Sequence, residues 1–400
     1  MKYKISLHIL FVFTLAATIS ACNKNPNRVY FTINPNNRQI NIPVLLDDSI
    51  RAKMTFDTGW NPIALDSSFC ASNSILILNN PDTIIKRGTS WSHELVTSLV
   101  YDKCQAVKIG SVDLNYPNLH IRDIKIFFNT DADGILGIPP QDTAHVWELN
   151  FEHNYLEVHS ATGFQMPKNC FLLKNENHAF DVKLSMQIKC SDGDTLSIDR
   201  IFMIDTGMPE DIAVMYPSSE WEFFNKKEDA VCTTSDGKNY KRRYTVSATL
   251  FDHFDVDSLR IYLFDDPHFV QSKYLIGQNF LKRFNVFFDQ KNRQIGLQPI
   301  KNFQRIVNPN HTRLYFFKEK TPAGQYVVKK VIDYKGNPYK EAGLKEGDEI
   351  ITINGKLFKN LTHEDMLELE KADTIQWVFL RGREQITITV PADKYYDRGD

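Results

Sequence analysis

The sequence contains an internal repeat that limits the folds open to it. Asp57-Thr58-Gly59 follows the strand-forming run "AKMTF", and Asp205-Thr206-Gly207 follows "RIFMI". Further along each half, a glycine follows two large aliphatic residues: Gly137 in "GILG" and Gly277 in "YLIG". Each of these glycines precedes a pair of strand-like segments. Because the same order of features occurs twice, we expect two related lobes.

The remaining pattern is that of a β protein. Short alternating runs such as "QINIPVLL", "VKLSMQIKC" and "YTVSATLF" recur, and turn-forming residues separate them. This spacing favours a mostly antiparallel β architecture. The formal net charge is −2 and no basic stripe is present, which gives no electrostatic basis for binding nucleic acid.

The N-terminal residues resemble a secretory signal. "MKYK" supplies two lysines, and an apolar run too short to span a bilayer comfortably continues to Cys22. Ile19-Ser20-Ala21-Cys22 resembles a bacterial lipobox, whose cysteine is acylated; the alternative is an ordinary cleaved signal with a bystander cysteine. We therefore expect a signal peptide over 1–21, lipidation of Cys22 and a polar tether over 22–29. The expected location is the bacterial cell envelope. Export to the cell surface is associated with an acidic stretch after the lipidated cysteine, and "NKNPN" has no acidic residue, so we expect the protein to face the periplasm.

The other five of the six cysteines limit covalent cross-linking to at most two disulfides. We expect mostly buried thiols, with room for one bridge, among Cys70, Cys104, Cys170, Cys190 and Cys232. No pair has metal-ligand spacing, and no phosphate-binding loop or serine nucleophile elbow is present. We therefore predict neither a metal nor a cofactor.

Two acidic turns have a chemical use when they face each other. Carboxyl groups about 3 Å apart cannot both ionise, so the pair shares one proton. The ionised member activates a water while the protonated member donates to a substrate carbonyl. Asp57 and Asp205 are accordingly the candidate catalytic residues for peptide-bond hydrolysis. The glycine two residues after each acid allows close backbone approach.

Residues 30–300 resemble an aspartic protease with two retropepsin-like lobes fused in one chain, as in pepsin-like enzymes. "FDTG" and "IDTG" match the catalytic loops, and "GILG" and "YLIG" match the elements that brace them. The resemblance implies lobes over 30–163 and 164–302 with a substrate cleft, a monomeric state, and protein or peptide substrates. It also implies a flap before Gly137, for which Trp91 is the candidate; a packed surface aromatic is the alternative. The implied supporting residues are Thr58, Gly59, Thr206, Gly207, Gly137 and Gly277.

Two positions depart from that family's pattern. Trp60 and Met208 follow the two turns, where pepsin-like enzymes often have a hydroxyl residue that orients the carboxyl group. Losing that donor changes how the pair titrates, and a bulky residue narrows a cleft. The alternatives to an envelope-anchored aspartic endopeptidase are therefore a catalytically silent, peptide-binding lipoprotein and a structural adaptor.

The C-terminal part has a different character. A linker over 303–313 precedes residues 314–392, in which "KEAGLKEGDEIITINGK" resembles a PDZ domain of bacterial envelope proteases. The resemblance implies a small α+β domain that adds an extended peptide to a sheet edge beside a helix. We expect the groove at Tyr326, Val327 and Val328, the carboxylate-binding loop at 321–325, and the helix at 363–371 with Thr362 as its N-cap. The alternative is a small β domain that only docks on the lobes.

Overall fold

The structure is a computed structural model, and it describes only part of the chain. The described residues are 25–34, 38–60, 63–73, 83–88, 95–101, 106–127, 130–177, 180–227, 231–234, 240–251, 254–264, 274–301, 303, 316–331, 337–362, 365, 369 and 372–391. The predicted signal peptide, Cys22 and the flap candidate Trp91 lie outside them. No helix among the described residues is long and apolar enough to cross a membrane.

The described residues are mostly in β-strands, as predicted. In chain order the strands are β1 (Arg28–Tyr30), β2 (Thr32–Ile33), β3 (Ile40–Leu46), β4 (Ile50–Phe56), β5 (Ile63–Asp66), β6 (Thr83–Gly88), β7 (Leu95–Tyr101), β8 (Val107–Ile109), β9 (Val112–Leu114), β10 (Leu119–Arg122), β11 (Gly134–Leu136), β12 (His145–Asn150), β13 (Tyr155–Ser160), β14 (Phe171–Lys174), β15 (Asp181–Lys189), β16 (Thr195–Asp205), β17 (Ile212–Met215), β18 (Val231–Thr234), β19 (Tyr240–Leu250), β20 (Phe254–Phe264), β21 (Tyr274–Gly277), β22 (Phe284–Asp289), β23 (Gln294–Pro299), β24 (Phe316–Lys320), β25 (Tyr326–Val331), β26 (Glu349–Ile353), β27 (Lys356–Leu357), β28 (Thr374–Arg381) and β29 (Glu384–Pro391). The helices are α1 (Ser67–Asn73), α2 (Ile124–Phe127), α3 (Ser219–Asn225), α4 (Gln278–Leu281) and α5 (Pro338–Glu341), with a 3₁₀ turn at Phe358–Asn360.

The internal repeat appears as matching strand order in two separate sheets. One sheet contains β7-β10-β5-β11-β4-β3, and another contains β19-β20-β17-β21-β16-β15. In the first, β11 runs parallel to β4 and antiparallel to β5; in the second, β21 runs parallel to β16 and antiparallel to β17. The next strands match too, because β10 is parallel to β5 and β20 is parallel to β17. The two halves therefore share one topology.

The chain divides into two compact units whose boundaries differ from the expected lobes. Of the described residues, one unit contains those within 1–85, 97–178 and 284–299, and the other contains those within 86–96, 179–283 and 300–400. The hairpin β22–β23 belongs to the first unit because β22 pairs with β12, with Val146 opposite Asp289. It lies in a six-stranded sheet of order β1-β13-β12-β22-β23-β14. The pattern of strands along the sequence does not specify which strands pair. The pairing with β12 therefore places this hairpin in a different unit from the residues that precede it in the chain.

The cores follow from the alternation of apolar residues along the strands. In β15, every second residue from Val182 to Ile188 is buried. In the first unit, the rings of Phe56 and Trp147 stack with their centroids 6.1 Å apart. Burying one such large side chain is worth about 1.5–3 kcal/mol. Packing at the end of β4 therefore holds the first acidic turn in place.

The side chains of three cysteines are described, and the predictions for Cys104 and Cys232 lie outside the described side chains. Cys70 and Cys190 are buried and Cys170 is half-buried, and Cys70 and Cys170 are free thiols. Burial raises the pKa of Cys70 to about 12, with a further contribution from the Asp66 carboxylate. Burial likewise raises the pKa of Cys170 to about 11. Thiols with such pKa values are poor nucleophiles at neutral pH.

Candidate functional site

Backbone N–H groups donate the hydrogen bonds that hold the first acidic turn. The Asp57 N–H donates to the Leu136 carbonyl at 3.0 Å, which joins the turn to the end of β11. The Gly59 N–H donates to Asp57 Oδ1 at 2.8 Å. Thr58 is buried between these residues. One oxygen of the Asp57 carboxylate therefore shapes its own loop.

The second acidic turn has the same construction with one additional donor. Asp205 ends β16 and lies opposite Gly277 in the parallel pairing with β21. Its Oδ1 accepts from the Gly207 N–H at 2.9 Å and from the Met208 N–H at 3.0 Å. Thr206 is fully buried. The two turns belong to different units.

Close backbone approach explains the glycine behind each turn. A Cβ on Gly137 would lie 1.9 Å from the Trp60 carbonyl oxygen, and a Cβ on Gly277 would lie 2.2 Å from the Glu210 carbonyl oxygen. Both neighbours are backbone atoms, so they cannot rotate away. The glycines that the sequence pattern singled out are thus required by the packing of each loop against its parallel strand.

Trp60 and Met208 pack into the cores of their own units. Trp60 is half-buried and packs against the cluster of Ala64, Ile124 and Ile135. The Arg122 guanidinium lies 4.9 Å from the centre of the Trp60 ring. Met208 is 1% exposed and packs with Leu275 among the core side chains of its sheet. These contacts lie within each unit, and the effect of the two residues on a cleft stays a prediction.

The C-terminal sheet corrects the expected position of the peptide groove. Its strand order is β24-β25-β26-β28-β29, with β27 beside β26. Tyr326, Val327 and Val328 lie on β25, which pairs with β24 on one side and β26 on the other. Val328 is also buried in the core. Because β25 has a neighbouring strand on both sides, it is an inner strand and not an open edge to which a peptide can add.

The expected carboxylate-binding loop is a hairpin turn. Residues 321–325 connect β24 to β25, and the Thr321 N–H donates to the Gln325 carbonyl at 2.8 Å. The Gly324 N–H donates to the Thr321 carbonyl at 2.8 Å, and the Gln325 N–H donates to the Thr321 hydroxyl at 3.2 Å. These amide groups are used within the turn, so they are not available to hold a peptide carboxylate.

The open edge at this end of the sheet is β24. Among the described residues, β24 pairs only with β25. The sequence-based groove missed Lys318 and Lys320, which lie on this strand. The signal was present in "FFKEKTPAGQYVVKKV", where a Pro- and Gly-containing segment between two strand-like runs is typical of a hairpin. At the opposite edge, β29 contacts α5.

The expected helix after Thr362 is only partly described. Asp365 and Leu369 are helical, and the rest of 363–371 lies outside the described residues. The Asp365 N–H donates to the Thr362 hydroxyl at 3.2 Å, and the Thr362 N–H donates to Asp365 Oδ2 at 2.8 Å. This reciprocal pair is a capping arrangement, so Thr362 is the N-cap as predicted.

The "EGDE" segment is structural. Arg381 donates to both oxygens of Asp348, each at 2.7 Å, and the Lys345 N–H donates to Asp348 Oδ2 at 2.9 Å. Burial would raise the pKa of Asp348, but these hydrogen bonds and the positive charge of Arg381 hold it below its usual value. The carboxylate thus joins the loop before β26 to the end of β28.

One group of side chains in the first unit has metal-ligating atoms close together. Glu148, Glu157 and His159 each place a ligating atom within 4.8 Å of the others. His159 Nε2 lies 2.8 Å from Glu148 Oε2, and Arg28 Nη2 lies 2.7 Å from Glu157 Oε2. Tyr155 also donates to Glu148, at 2.8 Å. Because protein groups already engage both carboxylates, the group is explained as a buried polar network.

Comparison with known proteins assigns the C-terminal sheet. The family model described as PDZ domain matches residues 317–373. The chain contains a PDZ domain. Serine protease HTRA1 of Xenopus laevis is 35% identical over 101 residues, and serine protease HTRA1 of Xenopus tropicalis is 32% identical over 101 residues. Each alignment covers 25% of this chain and 21% of the relative, so the chain matches about a fifth of the length of these relatives.

These relatives correct the predicted activity. Both are named serine proteases, whereas the sequence-based prediction was an aspartic endopeptidase acting through Asp57 and Asp205. That prediction is contradicted and is withdrawn. The similarity covers the PDZ region only, so serine protease activity is stated of the two relatives.

Proposed function

We propose that this chain is a peptide-binding protein whose PDZ domain adds an extended peptide to the edge of β24. The observation that supports this most directly is that β24, within the domain matched by the PDZ model, pairs only with β25 among the described residues. An edge strand presents unpaired N–H and C=O groups, and an added strand satisfies them. Affinity then comes from main-chain hydrogen bonds and selectivity from alternate side chains.

We also infer that the two repeated sheets are lobes of the acid-protease type, followed in the chain by the PDZ domain. Matching strand order and the presence of one Asp-Thr-Gly turn in each sheet support this inference. The ranges 30–163 and 164–302 remain the proposed lobes, with the hairpin β22–β23 assigned to the first unit. For the two lobes we propose only the type of fold. The proposed peptide binding is a property of the PDZ domain.

The proposed location is the bacterial cell envelope. The residues "ISAC" before the tether support acylation of Cys22, and acyl chains contribute about 0.8 kcal/mol for each buried methylene group. We propose that the lipid holds the PDZ domain near the membrane on the periplasmic side.

Hydrogen–deuterium exchange on the full chain tests the peptide-binding proposal. A mixed pool of extended peptides is added, and exchange is compared with and without it. We expect the amides of residues 316–320 to exchange more slowly in the presence of peptide, because their outward-facing groups become hydrogen-bonded. The opposite edge of the same sheet, residues 384–391, is the internal control and should not change.

A structural adaptor predicts a different result. With no peptide affinity, the exchange of residues 316–320 would be the same in both samples, and the proposal would be wrong. Protection confined to residues 384–391 would also contradict it, since the peptide would then occupy the other edge.

A further inference from the structure

Two lysines on the open strand share a face with the core of the PDZ domain. Lys318 lies directly opposite Val328, and Lys320 lies directly opposite Tyr326, in the antiparallel pair of β24 and β25. Residues directly opposite each other in such a pair point to the same face of the sheet. Val328 is buried in the core, with Tyr326 and Phe358 packed against that core. Both lysines are therefore on the face that the core occupies.

Aromatic rings position the two ammonium groups. Lys318 Nζ lies 5.0 Å from the centre of the Phe358 ring, and Lys320 Nζ lies 5.7 Å from the centre of the Tyr326 ring. Contact between a cation and an aromatic face is favourable within about 6 Å. Tyr326 and Phe358 also contact each other edge to face, with centroids 5.1 Å apart. The rings of Tyr326 and Phe358 thus lie side by side, and each contacts one of the two ammonium groups.

Neither lysine has an acidic partner within the described part of the chain. The side chains of both lysines are exposed to solvent. Neighbouring protein atoms still desolvate the Lys318 ammonium group in part, which lowers the pKa of Lys318. No carboxylate oxygen of the described residues forms an ion pair with Lys318 or Lys320, whereas Lys356 of the same domain pairs with Asp365. The open edge therefore has two positive charges, two residues apart on one face, and a neighbouring acidic group would be favourable.

We propose that the edge of β24 selects extended peptides that have acidic side chains at alternate positions, two residues apart. The inference rests on the proposed peptide binding. An added strand points every second side chain to one face, which places two of them beside Lys318 and Lys320. Carboxylates at those positions complete two ion pairs, and basic side chains there meet like charges. Each exposed pair changes affinity by about two- to fivefold, so two pairs give about tenfold.

Fluorescence anisotropy with the full chain measures this selectivity. The probes are labelled peptides of equal length that carry Asp, Asn or Lys at two alternate positions, with this pair scanned along an otherwise uncharged sequence. The Asp peptides are expected to bind about tenfold more tightly than the Asn peptides at low salt, and the Lys peptides more weakly than either. The difference should shrink at high salt because ions screen exposed charges.

Charge reversal provides the decisive variant. Lys318→Glu combined with Lys320→Glu should reverse the order, so that the Lys peptides bind best. Lys329→Glu is the matched control: it makes the same change on the adjacent strand β25, one residue beyond Val328, and should leave the order unchanged. Circular dichroism of each variant verifies that the sheet is intact.

The outcomes separate this inference from the proposed function. Binding of all three peptide classes with equal affinity would overturn the inference and leave peptide binding in place; the lysines would then serve only to discourage edge pairing between copies of the chain. Failure of every peptide to bind would overturn both. An order that survives in the Lys318→Glu, Lys320→Glu variant would overturn the inference as well.

Discussion

Asp57 and Asp205 each accept hydrogen bonds from the backbone of their own turn, at 2.8 and 2.9 Å from the glycine two residues later. Each turn also lies beside the end of a parallel strand, where the glycine of "ILG" or "LIG" leaves room for it. At the residue scale, the repeated tripeptide therefore has a structural role in each unit. Substitution of the bracing glycine tests that role.

Gly137→Ala should destabilise the first unit by about 3 kcal/mol or more. The new Cβ would lie 1.9 Å from the Trp60 carbonyl oxygen, and the backbone must shift to relieve the overlap. Hydrogen exchange is the appropriate measurement because it reports local opening in a chain with more than one unit. Amides of β4 and β11 should exchange faster in the variant.

Gly163→Ala is the control for that substitution. Gly163 has a φ of +80°, and no atom lies within 4 Å of the position that an added methyl group would take. Alanine there therefore costs only backbone strain of about 1–2 kcal/mol. Equal effects of the two substitutions on β4 and β11 would show that close approach at Gly137 is not what requires glycine.

At the scale of elements, a buried polar network joins β1, β12 and β13. Arg28 on β1 pairs with Glu157 on β13, and the Arg28 guanidinium lies 3.8 Å from the centre of the Tyr155 ring. Glu148 on β12 accepts from Asn150 and Tyr155 and contacts His159. Burial raises the pKa of Tyr155, and its hydrogen bond to Glu148 raises it further. The network fixes these three strands at the edge of their sheet.

Glu148→Gln should reduce the free energy of unfolding of the first unit by about 1–2 kcal/mol at neutral pH. Burial would raise the pKa of Glu148, but hydrogen bonds from His159, Asn150 and Tyr155 lower it below the usual 4.5. A lowered folded-state pKa stabilises the fold above the unfolded value, and this contribution is lost as pH falls through the folded value. The deficit of the variant should therefore shrink below about pH 4.5.

Glu176→Gln is the matched control in the same unit. Glu176 pairs with Lys174 at the surface, where such pairs contribute little. Urea unfolding at neutral pH and at pH values below 4.5 compares the two variants with the unmodified chain. A Glu148→Gln deficit that stays constant with pH would show that the ionised carboxylate is not what stabilises the network.

At the scale of the whole molecule, one chain forms two compact units, and the PDZ domain belongs to the second of them. The proposed anchor, Cys22, precedes the first described strand. Cys22→Ser should move the protein from the membrane fraction to the soluble fraction of the envelope. The reason is that serine cannot be acylated in place of the thiol, and the bound lipid supplies the membrane affinity. Cell fractionation followed by immunoblotting gives the distribution.

Cys170→Ser removes a half-buried thiol outside the proposed lipidation motif and should leave the distribution unchanged. If the Cys22→Ser protein remained in the membrane fraction while Cys170→Ser behaved normally, lipidation at Cys22 would not be the anchor.

The elements of the candidate site differed in how far sequence could predict them. The "KEAGLKEGDEIITINGK" segment was sufficient for the PDZ domain, because its turn and strand residues act locally. The groove was misplaced because both β24 and β25 have strand patterns, and only their pairing shows which one has an open side. The division into units differs from the expected lobes for the same reason, since the partner of β22 is β12, far away in the chain.

The sequence by itself determined the internal repeat, the mostly β architecture and the glycines behind the acidic turns, since these follow from local alternation and from residues that allow close approach. Only the tertiary structure decided that β24 is an edge, that the hairpin β22–β23 belongs to the first unit, and that Lys318 and Lys320 share a face with the PDZ core. The physical reason is that strand pairing is a non-local choice: many strands have compatible patterns, and the hydrogen bonds between distant segments select among them.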